Sequence, residues 1–327
     1  MKSIDSYWDG INPVSIALLP LSWLFCLLAW LRRIAYRFGL FRTVSLPVPV
    51  IVIGNISVGG VGKTPLVIWL SNYLKEQGLR PGIISRGYGG ASEQWPRQVG
   101  RDSDPVLVGD EPVLIARRTG CPVWVGPDRV EAAQALVEGG RCDIILSDDG
   151  MQHYALGRDI EIAVIDGSRR LGNGFCLPAG PLRERAWRLD RVDLVVVNGE
   201  GRENEVAMGL RPTAVVNVND SGRRIELANY RGASVHGIAG IGNPARFFDS
   251  LRSQGVKVVE HGFPDHHRFA PGDIQFSDDL PVLMTEKDAV KCFGFADERH
   301  WYVEVDADPD EVFVKRLDHL LRGLKDG

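Results

Sequence analysis

Residues Gly54 to Pro65 read GNISVGGVGKTP and stand between an apolar run, Pro49-Val50-Ile51-Val52-Ile53, and the helical stretch Leu66-Val67-Ile68-Trp69-Leu70. A strand, a glycine-rich turn and a Gly-Lys-Thr opening a helix make a phosphate-binding loop. Backbone N–H groups of such a turn point inward, and the helix N-terminus adds partial positive charge. Ser57, Gly59, Gly60, Val61 and Gly62 form the turn. Lys63 then reaches the β- and γ-phosphates of a nucleotide, and the Thr64 hydroxyl ligates Mg²⁺. The generic pattern GxxxxGK[ST] asks for glycine where this chain has Ser57. The loop implies a nucleoside triphosphate, without saying what is done with the phosphate.

Further apolar runs recur at 82–84, 122–125, 143–146, 160–165, 193–197 and 213–216, with helical stretches such as Arg129–Glu138 between them. Short β-branched runs alternating with helices predict an α/β fold, a doubly wound and mostly parallel sheet covered on both faces. Ligands bind beyond the carboxyl ends of such strands. Ser57, Asp148, Asp166 and Asn198 each follow an apolar run, so one edge should carry them all. The polar stretch DSGRRIELANYRG (220–232) marks a boundary. It divides a phosphate-loop domain, 44–220, from a smaller α/β domain, 233–327, that closes the cleft. Residues 257–260, 281–284 and 301–305 read as strands of that second unit, 245–254 as a helix, and the amphipathic stretch 309–324 as the helix that closes it.

At 327 residues the chain exceeds a comfortable single core, which agrees with two units. A net charge of −4 provides no basic footprint for nucleic acid. Five scattered cysteines, with no Cys-x-x-Cys pair, indicate neither a disulfide framework nor a zinc ribbon and fit a reducing compartment. The N-terminal region, 1–43, breaks this ordinary pattern. From Val14 to Leu31 no residue is charged, and Arg32, Arg33, Arg37 and Arg42 follow with no acid among them. A secretion signal would need a basic segment first, whereas Asp5 and Asp9 precede this run. A buried core helix fits poorly beside so many aromatic residues and arginines. A short span kinked by Pro20 and a helix lying in the interface both fit. The expectation is membrane attachment with the arginines, and the chain after them, on the cytoplasmic side.

Five segments offer chemistry. The strand end CDIILSDDG places Asp148 and Asp149 where an acidic residue supports Mg²⁺ in phosphate-loop proteins, with Asp166 a competitor. Asp110 in GDEP suits a base for phosphoryl transfer, although Asp-Glu-Pro is also an ordinary helix start. His261, Asp265, His266 and His267 match no common zinc spacing and read better as a carboxylate-paired imidazole. Thr285-Glu286-Lys287-Asp288 follows a strand and should face the cleft or cap a helix. LPAGPLRER carries Arg183, Glu184 and Arg185 on a Pro/Gly-rigidified loop suited to phosphate.

In order, GNISVGGVGKTP, SRGYGG, GDEP, SDDGMQH, LPAGPLRE, DHH and TEKDAVK closely resemble the tetraacyldisaccharide 4'-kinase family over nearly the whole chain. The resemblance makes Ser57 expected. It implies an ATP- and Mg²⁺-dependent inner-membrane enzyme that phosphorylates the 4'-hydroxyl of a lipid A disaccharide precursor to give lipid IV-A. It also implies Lys63 and Thr64 on the phosphates and metal, Asp110 as catalytic base with His266 as partner, and Arg183 near the phosphates. Asp148, Asp149 and Glu184 would surround the metal, with either aspartate in direct contact. Arg86 and Tyr88 would lie near the same site, with Thr285 and Lys287 on the nucleotide side. Asp110 and His266 would come from different units and meet on cleft closure. A partitioning-type switch ATPase is the competing class, but its KGGVGKT loop needs lysine where this chain has Val58. No Asn-Lys-x-Asp guanine signature occurs.

Overall fold

The computed structural model describes residues 7–8, 10–140 and 142–325; Asp5 and Asp9 lie outside the described residues. Strand β1 (Val50–Gly54), which leads into the glycine-rich loop, lies between β5 (Ile144–Asp148) and β6 (Ile160–Asp166), parallel to both. Every residue of these three strands is buried, which is why they read as continuous apolar runs rather than alternating ones. Beyond β5 come β2 (Pro81–Ser85), β4 (Val123–Val125) and the short antiparallel β3 (Arg97–Val99). Beyond β6 come β7 (Leu194–Asn198) and the long β8 (Val206–Asn217), both parallel to their inner neighbour, with β9 (Arg224–Ile225) hairpinned onto β8.

The remaining strands, β10 (Ser234–Ala239), β11 (Lys257–Gly262), β12 (Val282–Thr285) and β13 (His300–Pro309), form a second, parallel α/β set. It joins the first because β13 runs antiparallel along β8, from Trp301↔Asn217 to Pro309↔Met208. One sheet therefore runs through both halves of the chain.

The helices Lys63–Glu76 and Asp110–Thr119 cover one face, and Arg129–Glu138 the other. The C-terminal helix Glu311–Lys325 does not close the second set, as its amphipathic pattern suggested. Phe313, Leu317 and Leu321 instead pack with Leu66 and Leu70 of the helix that follows the loop. Trp69 meets Phe313 edge-on at 5.5 Å, and the Tyr73 hydroxyl donates to Asp318. Removing a phenylalanine side chain from water contributes roughly 2–3 kcal/mol, so Phe313 is a substantial brace for the phosphate-loop helix.

The apolar N-terminal segment forms a 19-residue helix, Leu19–Arg37, long and apolar enough to cross a membrane. Only Ser22 of it is buried, donating to the Cys176 carbonyl at 2.8 Å, while Leu21, Trp23, Leu24, Leu27, Leu28 and Leu31 are exposed.

Candidate active site

Strand ends meet at one edge: Ile53 is in register with Asp148, Gly54 with Ala163, and Asp166 with Asn198. The phosphate loop springs from that edge. Gly59 and Gly62 have φ of 106° and 96°, and a Cβ on Gly62 would sit 2.9 Å from the Asn198 amide nitrogen. Only glycine suits Gly62 on both counts. The segment LPAGPLRE straps this loop from outside. The Val58 N–H donates to the Pro181 carbonyl (2.8 Å), the Arg183 N–H donates to the Ile56 carbonyl (2.7 Å), and Ser57 bridges Leu182. The Gly60 and Val61 carbonyls accept from Arg169 and Asn198, each at 3.2 Å. Lys63 and Thr64 open the helix that follows.

The strap delivers Arg183 to the acidic pair. Its guanidinium lies 3.1 and 3.3 Å from the two Asp149 carboxylate oxygens, and Lys63 Nζ lies 3.4 Å from Oδ1. Burial opposes ionisation of Asp149, but Lys63 and Arg183 outweigh it and hold the carboxyl below its usual range. Asp149 also sits at φ 50°, and Arg129 donates to its carbonyl at 3.2 Å. Asp148 differs. It is 1% exposed, accepts only a 3.4 Å bond from Ser85, and has Oδ1 buried without a partner. Burial first, then nearby Glu111, pushes its carboxyl up to about 7. An unpartnered, hard oxygen donor near Lys63 is a fit for a divalent cation that also takes phosphate oxygens.

Glu184 is not gathered with this pair. Its oxygens accept from Gln152 (3.0 Å) and Tyr154 (2.5 Å), with Arg188 at 3.6 Å, so the expected place beside Asp148 and Asp149 is corrected. Asp166 is likewise committed, to Ser168 and to Arg246 at 3.0 Å. Among the described residues no three His, Cys, Asp or Glu side chains converge as a complete metal cage.

Across the edge, Asp110 opens the helix Asp110–Thr119 after Gly109, whose φ of 92° lets GDEP press against the Tyr88 carbonyl. His266, at φ 58°, places Nδ1 3.1 Å from Asp110 Oδ2. The structure thus holds the pair assembled. Tyr88 lies with its ring 5.0 Å from the His266 ring, whereas Arg86 is exposed. Lys287 Nζ sits 3.0 Å from Glu111 and 3.4 Å from both Asp265 and His266; these carboxylates outweigh burial and raise its pKa. Thr285 is engaged locally. Its hydroxyl donates to buried Asp288 at 2.6 Å, capping the short helix Glu286–Ala289.

Comparison with known proteins decides the family. A family model described as tetraacyldisaccharide-1-P 4'-kinase matches residues 14–322. The chain belongs to the tetraacyldisaccharide 4'-kinase family. Proteins named tetraacyldisaccharide 4'-kinase from Nitrosococcus oceani and Alkalilimnicola ehrlichii are 54% and 53% identical to it. Those alignments span 97% and 99% of this chain and 93% and 98% of the relatives. The crystal structure of LpxK from Aquifex aeolicus in complex with ATP superposes with a TM-score of 0.80 at 28% identity, over 95% of this chain and 99% of that one. The resemblance read from the motifs and the α/β phosphate-loop fold agree with these findings.

Two residues that line the candidate site escaped the motif reading of this 4'-kinase family member. Lys291 Nζ is buried 2.7 Å from Asp288 and 3.8 Å from Asp110 Oδ2. It sits in TEKDAVK, one helical turn past Lys287, which was the available signal. Arg246 ties the helix Pro244–Ser253 to Asp166 and Asn198, each at 3.0 Å. No local pattern announced it, because its partners lie in the other half of the chain.

Proposed function

We propose that the γ-phosphoryl group of ATP passes to the 4'-hydroxyl of a tetraacylated glucosamine disaccharide 1-phosphate with Asp110 as base, at the cytoplasmic face of the inner membrane. The kinase activity on that lipid A precursor, giving lipid IV-A, is the family's, and ATP with Mg²⁺ serves it. In balance, the bond between the γ-phosphorus and the bridging oxygen breaks, the bond to the 4'-oxygen forms, and the hydroxyl proton goes to the Asp110 carboxylate. ADP leaves.

The observation that carries this reading is Asp110 held ionised 3.1 Å from His266 at the same sheet edge as the phosphate loop. A carboxylate with a depressed pKa is a weak base. Phosphoryl transfer passes through a loose transition state, so orienting the hydroxyl and taking its proton late is enough. Lys63 and Arg183 supply fixed positive charge where the triphosphate would lie, and Asp149 aligns both cations. Asp148 and Thr64 would hold Mg²⁺, which when bound neutralises phosphate charge. Lys287 keeps Glu111, Asp265 and His266 in register. Residues 44–220 would form the phosphate-loop unit and 233–327 the smaller unit that brings His266 over Asp110.

The exposed apolar face of Leu19–Arg37, ending in Arg32, Arg33 and Arg37, supports membrane attachment through 1–43. Attachment would turn capture of a lipid acceptor into a two-dimensional search. Asp110→Asn tests the assignment. It should lower kcat on the acceptor by about 10²–10⁴-fold while leaving ATP affinity within about threefold. Unchanged kcat would remove Asp110 from the chemistry.

A further inference from the structure

A cavity of about 510 Å³ lies between the N-terminal helix and the turn Ala186–Arg191. Trp23, Leu27 and Trp30 form its apolar wall, and Arg33, Arg185 and Arg191 its cationic rim. Two guanidiniums lie over the Trp187 ring, Arg33 at 4.9 Å and Arg191 at 5.7 Å from its centroid. One carboxylate, Glu184, also lines the cavity, but its oxygens already accept from Gln152 and Tyr154 and face Arg188, which pairs with Glu161 as well. Among the described residues no ion pair holds Arg33, Arg185 or Arg191, and Arg33 Nη1 is buried without a hydrogen-bond partner. Arg185 and Arg191 stay exposed to solvent, whereas the buried Arg33 Nη1 is costly unless an acceptor completes it.

We propose that this cavity binds the head group of an anionic glycerophospholipid, its phosphodiester on Arg33, Arg185 and Arg191 and an acyl chain along Trp23, Leu27 and Trp30. The inference rests on the membrane reading of the N-terminal helix. Guanidiniums match a phosphate bidentately, and the Trp187 stack pre-orients two of them. A zwitterionic head group would bring an ammonium against three like charges. The acceptor substrate belongs elsewhere, because the cavity bordered by Asp110, His266, Tyr88 and Lys291 shares no lining residue with this one. Arg185 sits two residues beyond Arg183, so an occupied cavity would also brace the strap that holds the phosphate loop.

Co-sedimentation of the full-length protein with vesicles tests this, using phosphatidylcholine alone or with one-fifth phosphatidylglycerol. The variant Arg33→Gln/Arg191→Gln should bind the phosphatidylglycerol vesicles more than about 100-fold more weakly than the parent and bind phosphatidylcholine equally. Arg37→Gln/Arg42→Gln removes the same charge outside the cavity and should cost no more than about 30-fold. ATP binding by each variant reports that it is folded. Equal losses in the two double variants would replace the cavity with diffuse surface attraction and overturn the proposal. Disappearance of the difference when the tetraacyl disaccharide is added to the vesicles would assign the cavity to the acceptor instead. Failure of the parent to bind either vesicle would sink the membrane reading itself, a separate outcome from lost lipid preference.

Discussion

Burial by itself would raise the Asp110 carboxyl, but the His266 bond with Lys287 and Lys291 holds it low, and the same bond raises His266 against desolvation. The carboxylate's contribution to stability is present above the usual aspartate range and lost as pH falls through its lowered value. The imidazolium's is present below the usual histidine range and lost as pH rises through its raised value. Both groups are therefore charged between those limits. His266→Gln should move the acidic limb of kcat/KM to higher pH and lower kcat by about 10–10²-fold in a pH–rate profile. A lowered kcat with an unmoved limb would make His266 merely structural. Asp148 has the opposite sign. Kept neutral up to about 7 in the fold, it favours the folded state below the unfolded aspartate pKa and loses that advantage as pH rises through about 7. Asp148→Asn should raise Tm by about 2 °C or more at pH 8 in chelator, while abolishing transfer. Lys63, Asp110, Asp148 and Asp149 were legible because each stands at a strand end or helix start. Glu184 was misplaced because Tyr154, Gln152 and Arg188, which claim its oxygens, converge on it only in three dimensions.

Among elements, β1 and the helix after it were the most readable, since an all-buried strand and a glycine-gated helix start leave local marks. The β8–β13 pairing left none. Antiparallel partners more than 80 residues apart carry no local signal, so the second half looked more separate than the sheet is. The C-terminal helix shows the same limit: its 3.6-residue period announced a buried face but not which core receives it. That face lies on Trp69 and Leu70, beneath the phosphate loop. Phe313→Ala should cost about 3–5 kcal/mol in denaturant unfolding and weaken ATP binding more than acceptor binding. An acceptor-only effect would place the helix with the other half.

For the whole molecule, one sheet carries the loop and acidic pair, and the second set brings His266 to Asp110, Lys287 to Glu111 and Arg246 to Asp166. The N-terminal helix meets the body beside the strap, at Cys176. Deleting residues 1–43 should abolish vesicle sedimentation and lower transfer to vesicle-borne acceptor more than about tenfold, with ATP affinity little changed. Retained sedimentation would move the membrane contact elsewhere. The most direct measurement of the central claim follows the label from γ-labelled ATP in mixed micelles containing tetraacyl disaccharide 1-phosphate. Label should appear in the lipid for the parent enzyme and be lost from it for Asp110→Asn. ATP consumed with the lipid unlabelled would contradict the account.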